Sequence, residues 1–276
     1  MKRLLTFLIA GSVCAASFGQ DDPIMSILSD DIPHGEKLIE AYFTPMAESF
    51  GAGLNNGWYN TGKPHSLGGF DITFSLNTVL IPNSAEKFKI ENEFGGVFWS
   101  NENEANTIFG ESKTTEMYYS PSIDTTGTIG FTFNMPKGLK TPIMPLPMIQ
   151  AGIGLIKNTA IDIRYIPTLN AGKEINVTLF GIGLKHDLLQ WIPGFGDAIP
   201  MSLSLQAGHT SLNTELEVAD QKVSLSTKAT TINLIASKKI LMVTGYAGVG
   251  YNSANTTFTA NPNFDLNGVK FDENIE

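Results

Sequence analysis

The sequence predicts an all-β fold, an antiparallel transmembrane β-barrel of about 10–14 strands with a short helical plug at its N-terminus. Three observations support this prediction. Several long segments alternate between apolar and polar residues, as strands do when their two faces meet different surroundings. Charged residues make up 16% of the chain, whereas ordinary soluble domains carry about 25%. The chain also begins with the pattern of an export signal.

Residues 1–20 have the features of a cleaved signal peptide. Lys2 and Arg3 provide a positive start, and residues 4–18 form an apolar stretch that is short for a bilayer span. The single cysteine, Cys14, lies within this signal. A lipoprotein anchored at this cysteine is an alternative that the bulky residue before it disfavours. The mature chain is therefore expected to contain no thiol and no cysteine-ligated metal.

The charge balance of the chain is acidic. The formal net charge of −9 becomes −11 when Lys2 and Arg3 leave with the signal. A nucleic-acid partner is not expected, because phosphate binding requires a basic surface. After the signal, no apolar run reaches about 18 residues, so no transmembrane helix is predicted. The exported chain is expected in the periplasm, outside the cell, or in the outer membrane as a barrel.

Residues 21–56 are predicted to form a helical N-terminal plug segment. Their apolar residues recur at helical spacing and so share one face of a helix: Leu38, Ile39, Tyr42, Phe43 and Met46. Pro45 predicts that a second short helix begins there. The segment is expected either to sit in the mouth of a barrel or to pack on the core of a soluble protein.

Residues 57–276 are the predicted barrel. The first strand separates apolar from polar residues: Phe70, Ile72, Phe74 and Leu76 alternate with Asp71, Thr73 and Ser75. Related patterns occupy residues 88–99, 123–135, 148–167, 174–191, 200–210, 222–236 and 240–252, roughly ten strands with the rest. In a barrel the apolar row faces lipid and the polar row lines a wet interior. Glycines within the strands, as in AGIGL and YAGVGY, are expected to relieve crowding inside it.

Strand length favours this barrel over a soluble β-sandwich. The predicted strands have about 8–14 residues, and about 9–11 tilted residues cross a bilayer, whereas soluble strands average about 5–6. The polar rows contain Gly, Ser, Thr, Asn and Gln, which suits a hydrated lumen. Aromatic residues near strand ends fit interfacial girdles: Trp99, Tyr118, Tyr119, Tyr165, Trp191 and Tyr251.

Three segments carry a resemblance to known proteins: GLNNGWYNTGKPHSLGGFDITFSLNTVLIP, GIGLKHDLLQWIP and LPMIQAGIGL. With them, most of the mature chain resembles an uncharacterised family of Gram-negative outer-membrane proteins, which implies the fold and no activity. The layout, a helical segment before a long-stranded barrel, is more distantly similar to FadL-type hydrophobic-solute channels. That likeness implies passage of a hydrophobic solute, although none of the ligand-contacting residues of those channels can be matched here.

Two groups of residues are the candidate site. Asp162 and Arg164 are expected to project together into the lumen, either as a polar site that ties the wall to the plug or as a structural ion pair. Trp58, Tyr59 and His65 belong to the loop that carries the chain from the plug into the first strand.

The sequence predicts no catalytic site, no metal site and no cofactor, so the chain is not expected to be an enzyme. Neither a G-x-S-x-G elbow nor a His-Glu-x-x-His motif occurs. His209 and Ser211 lie two residues apart on one strand, about 7 Å, which is too far for a hydrogen bond. His186 and Asp187 are expected to be a turn pair at a strand end.

The predicted function is passive transport or binding of a small hydrophobic solute by a barrel in the cell outer membrane. A non-conducting structural or surface-interaction barrel and a soluble secreted β-sandwich stay open as alternatives. The expected partners are outer-membrane lipid and the outer-membrane assembly machinery. After Tyr251 the sequence is polar and acidic, so the chain is expected to lack at least one hairpin and to leave an open edge between its first and last strands.

Overall fold

A computed structural model describes residues 35–90, 97–120, 131–170, 175–192, 201–218, 221–261, 265–266 and 269–270. The predicted signal and the first part of the predicted plug lie outside these residues. The described part is mostly antiparallel β-structure with one α-helix. No helix in that part of the chain is both long and apolar enough to cross a membrane.

Helix α1 spans Gly35–Asn55. Its apolar residues are buried at helical spacing: Leu38, Ile39, Tyr42, Phe43, Phe50 and Leu54. The helix continues through Pro45, so the prediction of a second helix that begins there is wrong. A proline inside a helix removes the hydrogen bond to the carbonyl four residues earlier, here that of Ala41. Burial of apolar residues on both sides of Pro45 explains why the helix does not end at it.

The strands are, in chain order, β1 (Phe70–Leu80), β2 (Lys87–Lys89), β3 (Phe98–Trp99), β4 (Glu104–Asn106), β5 (Glu116–Tyr119), β6 (Phe131–Asn134), β7 (Ile143–Leu155), β8 (Thr159–Asn170), β9 (Ile175–Asp187), β10 (Ser202–Val218), β11 (Gln221–Ile240), β12 (Val243–Asn261), β13 (Asp265–Leu266) and β14 (Val269–Lys270). Seven of them form one curled antiparallel sheet in the order β1-β7-β8-β9-β10-β11-β12. Within the described residues β1 and β12 are its two edges and do not pair with each other, which agrees with the open edge expected from the sequence.

The number of long strands is smaller than the sequence predicts. The strand expected over residues 88–99 is replaced by β2 and β3, which pair with β4 and β5 in separate small sheets. Of the strand expected over 123–135, the described part is the four-residue β6, which also pairs with β5. Alternation over two or three residues is too short to decide which sheet a strand joins. The large sheet is half of a barrel rather than a closed one of 10–14 strands.

A tight turn divides the strand predicted over residues 148–167 into β7 and β8. Lys157 and Asn158 have positive φ angles of 53° and 44° in this turn. Apolar residues keep the same parity on both sides of the turn, so alternation alone did not reveal it. We define the lower end of the sheet as the end with this turn and with the β9–β10 and β11–β12 connections.

Helix α1 packs on the concave side of the curled sheet. It contacts β1, β7, β10, β11 and β12, and strands near both edges are reached together only from inside the curve. The strand residues around it are apolar and form the concave apolar zone: Met144, Leu146, Met148, Ile166, Val177, Leu179, Leu212 and Leu225. Helix and zone together make the hydrophobic core in the upper half of the enclosed space.

Below α1 the concave face changes to polar residues and glycine. We name these residues the concave polar zone: Gln150, Gly152, Gly154, Asp162, Arg164, Gly181, Gly183, Lys185, Ser204, Gln206, Gly208, Asn233 and Ser237. Soluble domains rarely bury so many polar side chains in one place, because each must find a hydrogen-bond partner. The residues that cover this zone, and the hydrogen bonds that they make to it, are therefore the place to look for a functional site.

The opposite, convex face carries exposed apolar side chains. They form the convex belt, and their exposed fractions range from 39% to 77%: Phe70, Ile72, Phe74, Leu76, Leu80, Ile143, Ile153, Ile163, Tyr165, Phe180, Ile182, Leu184, Met201, Leu205, Ile232, Leu234, Ile240, Val243, Val249 and Tyr251. The sheet thus has apolar residues outside and polar residues inside over its lower half. A contiguous apolar face of this extent marks an interaction surface.

Candidate functional site

The loop of residues 56–69 fills the concave polar zone. Trp58, near its start, is 1% exposed. The indole ring lies against Gly183 and Gly208, where a Cβ atom would come within 2.6 Å of Cζ3 and 2.5 Å of Cε2 respectively. Larger residues at these two positions would collide with the ring, so the glycines of neighbouring strands form the seat for Trp58.

The middle of the loop is bound to β10, β11 and β12. The backbone N–H of Gly62 donates to Oγ of Ser237 at 2.9 Å, and its carbonyl accepts from the hydroxyl of Ser204. Tyr59 packs edge-on against Tyr246, with ring centroids 5.9 Å apart. The loop therefore interacts with the far side of the sheet as well as with β1, which follows it in the chain.

The end of the loop binds the lower end of β7. The N–H of Gly68 donates to the carbonyl of Gly154 at 3.0 Å, and the N–H of Gly154 donates to the carbonyl of Gly69 at 2.8 Å. His65 lies 2.9 Å from Asp71, measured from Nε2 to Oδ1, and both side chains are partly exposed. This backbone pairing brings His65 to the rim of the concave polar zone.

Arg164 joins the sheet to the end of helix α1. Its guanidinium donates from Nη1 to the carbonyl of Leu54 and from Nη2 to the carbonyl of Asn56, both at 2.8 Å. Its Cζ atom lies 3.7 Å from the centre of the Trp58 ring. Arg164 is 0% exposed. A cation at a helix C-terminus binds the unpaired carbonyls and is favoured by the helix dipole.

Asp162 is linked to Arg164 through a third residue, Gln150. The Nε of Arg164 donates to Oε1 of Gln150 at 2.9 Å, and Nε2 of Gln150 donates to Oδ1 of Asp162 at 3.3 Å. Both charged side chains project to the concave side, and Asp162 is 3% exposed. Gln150 was not among the candidate residues of the sequence, although it lies in the polar row of β7.

Strands β1 and β12 hold the same end of the helix. The Nδ2 of Asn77 donates to the carbonyls of Gly53 and Asn56 at 3.1 and 3.2 Å. The Nδ2 of Asn55 donates to the carbonyl of Ser253 at 3.1 Å. With Arg164 on β8, side chains of β1 and β8 and a backbone carbonyl of β12 meet the C-terminal end of the helix. We name this set of contacts the plug anchor.

A gap interrupts the sheet between β7 and β8. Their backbone pairing begins at the lower turn and stops at Gln150 and Arg164. Above that level β7 pairs with β1 and β8 pairs with β9. Pro145 and Pro147 lie on this part of β7, and proline has no N–H to donate to a neighbouring strand.

A small apolar cavity lies behind this gap. Its volume is about 30 Å³, and its lining includes both sides of the gap together with α1: Phe50, Pro145, Leu146, Pro147, Met148, Ile166, Val177, Leu179, Leu212 and Thr214. A single water molecule occupies about 30 Å³ in the liquid, so the cavity is narrow. It belongs to the concave apolar zone and extends to Pro145 and Pro147, which lie on strand β7.

A larger groove lies at the upper end, between α1 and the segment around β2. It has a volume of about 860 Å³, within the size range of small-molecule sites. Apolar, basic and acidic residues line it together: Lys37, Glu40, Ala41, Thr44, Pro45, Glu48, Pro82, Ser84, Ala85, Lys87, Phe88, Lys89 and Thr107. Helix α1 thus separates this groove from the cavity behind the gap.

The histidines make structural contacts where the structure describes them. His186 accepts a hydrogen bond at Nε2 from Trp191 at 2.8 Å, and Asp187 accepts from the backbone N–H of Leu189, so these neighbours serve a turn. His209 is exposed on the convex face. Across the described residues, no three His, Cys, Asp or Glu side chains come close enough to hold a metal ion.

A family model described as a family of unknown function (DUF6588) matches residues 1–274. No curated protein and no solved structure matches the chain. The resemblance to a family without known function is thus confirmed, and the likeness to FadL-type channels stays a prediction.

Proposed function

We propose a function from the geometry of this chain, because the chain belongs to the DUF6588 family, whose function is unknown. The curled sheet is the wall of an outer-membrane β-barrel, and the space that it encloses takes up a small hydrophobic solute. The assignment of the sheet as a barrel wall is supported by the oblique course of the convex belt across the strands. The gap between β7 and β8 supports the uptake of a solute.

The convex belt does not follow the register of the sheet. On β1 it is centred on Ser75, three residues above Ile72, and on β12 it is centred on Ala247, six residues below Ser253. Ile72 and Ser253 lie at the same level of the sheet, because an unbroken row of cross-strand partners joins them: Ala151, Ile163, Ile182, His209 and Thr230. The belt therefore shifts by nine residues between the two edges of the sheet.

This shift corresponds to the strand tilt of membrane barrels. Nine residues of about 3.3 Å span about 30 Å along the strands, and six interstrand steps of about 4.8 Å span about 29 Å across them. A belt that is level in a membrane then requires strands tilted by about 45°, at the upper end of the range of about 35–45° for transmembrane barrels. At this tilt the 11 residues of β1 rise about 25 Å, the height of an outer-membrane apolar band.

The inverted faces also disfavour the soluble β-sandwich. A sandwich buries its apolar rows between two sheets, but here the large apolar row is exposed and the polar row is buried under residues 56–69. Lipid would cover the convex belt without a second sheet. The polar row inside a barrel needs only the plug and water as partners.

A pair of substitutions on one face of β10 tests the membrane assignment. Leu205 lies in the convex belt, and Asn213 lies eight residues above it on the same face, beyond the belt. Leu205→Arg is expected to lower the stability of the membrane-inserted form by about 2–4 kcal/mol, while Asn213→Arg costs at most about 1 kcal/mol. Heat-modifiable gel mobility and urea titration in bilayers measure both. Equal behaviour of the two variants would remove the basis for a membrane belt.

The gap provides an apolar connection between the belt and the interior. Pro145 and Pro147 line the cavity from the β7 side and Ile166 lines it from the β8 side. A slender apolar molecule that enters between these strands lies above the register pairing of β7 with β8, which stops at Gln150 and Arg164. The neighbouring concave apolar zone and Phe50 of α1 then provide its surroundings.

Filling the cavity tests this route. Val177 lines the cavity, and the next residue, Thr178, faces the other side of β9. In Gram-negative cells with an intact outer membrane, the wild-type protein is expected to increase uptake of the apolar probe N-phenyl-1-naphthylamine. Val177→Phe is expected to abolish the increase and Thr178→Phe to preserve it. Equal uptake by Val177→Phe and wild type would mean that the solute does not use this cavity.

A second candidate function, a non-conducting structural barrel, is favoured by the plug anchor. Arg164 and Asn77 bind the end of α1, Asn55 of the helix binds the carbonyl of Ser253, and residues 56–69 occupy the concave polar zone. Probe uptake separates the candidates: both predict exclusion of small sugars in liposome swelling, and only the solute-binding function predicts uptake of the apolar probe. Failure of Thr178→Phe and wild type alike to take up the probe would favour the structural barrel.

A further inference from the structure

The hairpin between β11 and β12 ends in an exposed apolar tip. Leu241 and Met242 form its two-residue turn, and their exposed fractions are 91% and 98%. Leu241 has a positive φ of 55°, a conformation for which such turns usually use Gly, Asn or Asp. A leucine here is unfavourable for the turn itself, so its apolar side chain calls for another explanation.

Two lysines precede this tip. Lys238 and Lys239 are exposed at the end of β11, directly before Ile240 and Leu241. The tip continues the convex belt, because Ile240 and Val243 are the last belt residues of β11 and β12 and pair with each other. Basic and apolar side chains therefore meet where the belt ends.

The other connections at the lower end repeat this combination. Ile156 is exposed in the β7–β8 turn, beside Lys157. Trp191, in the β9–β10 connection, is also exposed, and the Nζ atom of Lys157 lies 5.9 Å from the centre of its ring. Asp187, one of the described acids of this region, accepts the N–H of Leu189, so its carboxylate serves the local turn. Three connections thus present apolar side chains at the lower end: two of them carry lysines of their own, and Trp191 of the third lies beside Lys157.

We propose that this lower rim, formed by Lys157, Trp191, Lys238, Lys239, Leu241 and Met242, binds the headgroups of anionic phospholipids. The apolar tips enter the boundary between headgroups and acyl chains, and the ammonium groups contact the phosphates. The inference rests on the proposed membrane location and adds the class of lipid that one end of the wall selects. Trp at this depth has its usual interfacial position.

Charge complementarity gives the choice of lipid. Each lysine close to an anionic membrane surface contributes about a fivefold preference at moderate ionic strength. Three lysines on one rim therefore favour phosphatidylglycerol over phosphatidylcholine, which is zwitterionic. The attraction decreases with salt, because exposed charges are screened beyond about 10 Å at 0.1 M.

Quenching of Trp191 fluorescence by brominated lipid tests the inference. The protein is reconstituted in phosphatidylcholine with a small fraction of either phosphatidylglycerol or phosphatidylcholine brominated near the headgroup. A Trp191→Phe variant gives the signal of the other two tryptophans, Trp58 and Trp99. Per mole of brominated lipid, we expect quenching by phosphatidylglycerol to be at least fivefold more effective, with the difference falling in 0.5 M salt by screening.

Matched charge variants identify the lysines. The triple variant Lys157→Gln, Lys238→Gln and Lys239→Gln is expected to lose the preference for phosphatidylglycerol. The control Lys137→Gln, Lys140→Gln and Lys228→Gln removes three exposed lysines outside the lower rim and is expected to keep it. Equal loss in both variants would overturn the assignment to the rim.

The outcomes separate this inference from the proposed function. Equal quenching by both brominated lipids in the wild-type protein would overturn the lipid preference but keep Trp191 in the bilayer. Quenching by neither lipid would overturn the membrane location and with it the inference. A preference that survives the triple rim variant would also overturn the inference.

Discussion

Replacement of Arg164 by methionine would test whether the sheet holds the plug through the plug anchor. Arg164 is 0% exposed and donates three hydrogen bonds, to the carbonyls of Leu54 and Asn56 and to Gln150. Methionine keeps an unbranched side chain in the cavity and removes all three donors. The carbonyl of Asn56 keeps a donor in Asn77, while that of Leu54 loses the guanidinium.

The expected loss is large because the contact is buried. A hydrogen bond to a charged group contributes about 1.5–3 kcal/mol, and, beyond the bond to Asn56, Arg164→Met removes two such bonds, to the carbonyl of Leu54 and to Gln150. The contact between Arg164 and the Trp58 ring at 3.7 Å adds to the loss. We therefore expect Arg164→Met to lower the free energy of unfolding by about 3–5 kcal/mol.

Urea titration of the bilayer-inserted protein, followed by tryptophan fluorescence, measures this change. Arg164→Lys keeps a positive charge but cannot donate to two carbonyls and Gln150 in the planar geometry of a guanidinium, so it is expected to lose about half as much. Lys228→Met, at an exposed position of β11, serves as the control and is expected to change stability by less than about 0.5 kcal/mol. The reasoning would be refuted if Arg164→Met matched this control.

Two further predictions concern Trp58 and its seat. Gly208→Ala places a Cβ atom 2.5 Å from the indole and is expected to lower the free energy of unfolding by about 1–3 kcal/mol through overpacking. Gly245→Ala, whose Cβ atom would have no neighbour within 4 Å, is expected to be neutral in the same urea titration. Similar losses in both variants would mean that the glycine seat of Trp58 is unimportant. Trp58→Ala is expected to open the concave polar zone and to increase liposome swelling by small sugars above that of Trp99→Ala, and no increase would mean that other residues close the lumen.

The strands of the large sheet could be predicted where alternation is long. The apolar row of β1 was assigned correctly to one face, because four apolar residues recur without interruption from Phe70. β2 and β3 could not be distinguished from wall strands, since each has three residues or fewer and the choice of sheet depends on partners far away in the chain. The division of β7 from β8 was missed because Lys157 and Asn158, rather than glycine, adopt the positive φ angles of the turn.

The candidate site was only partly accessible from the sequence. The two-residue spacing of Asp162 and Arg164 is sufficient to put both side chains on one strand face. Their partners could not be predicted, because Arg164 and Leu54 are 110 positions apart and meet only through the packing of helix α1 on the sheet. The glycines opposite Trp58 did leave a signal, since Gly183 and Gly208 are register partners on adjacent strands. Sequence reading recognised the crowding that they relieve but could not identify the indole that causes it.

The change of alternation along the three longest strands connects the fold with the proposed environment. In the lower half of β10, Leu205 faces the convex side and Gln206 is buried, whereas in the upper half Leu212 is buried and the convex residues are polar. The same exchange occurs on β11 and β12, and the first polar convex residues above the convex belt on the three strands are direct cross-strand partners: His209, Thr230 and Ser253. A shift of the pattern by one residue without a bulge would expose apolar side chains on a soluble sheet. In a barrel wall such a shift of the alternation is expected at the level where lipid ends and water begins. At that level the surroundings of the outer face change from apolar to polar, and on the inner face helix α1 takes the place of the polar residues that fill the lower half. In the proposed membrane location, these strands of 17, 20 and 19 residues are long because each one would serve two surroundings, with about 9–11 residues needed for the bilayer and the remainder packed on the helix above it.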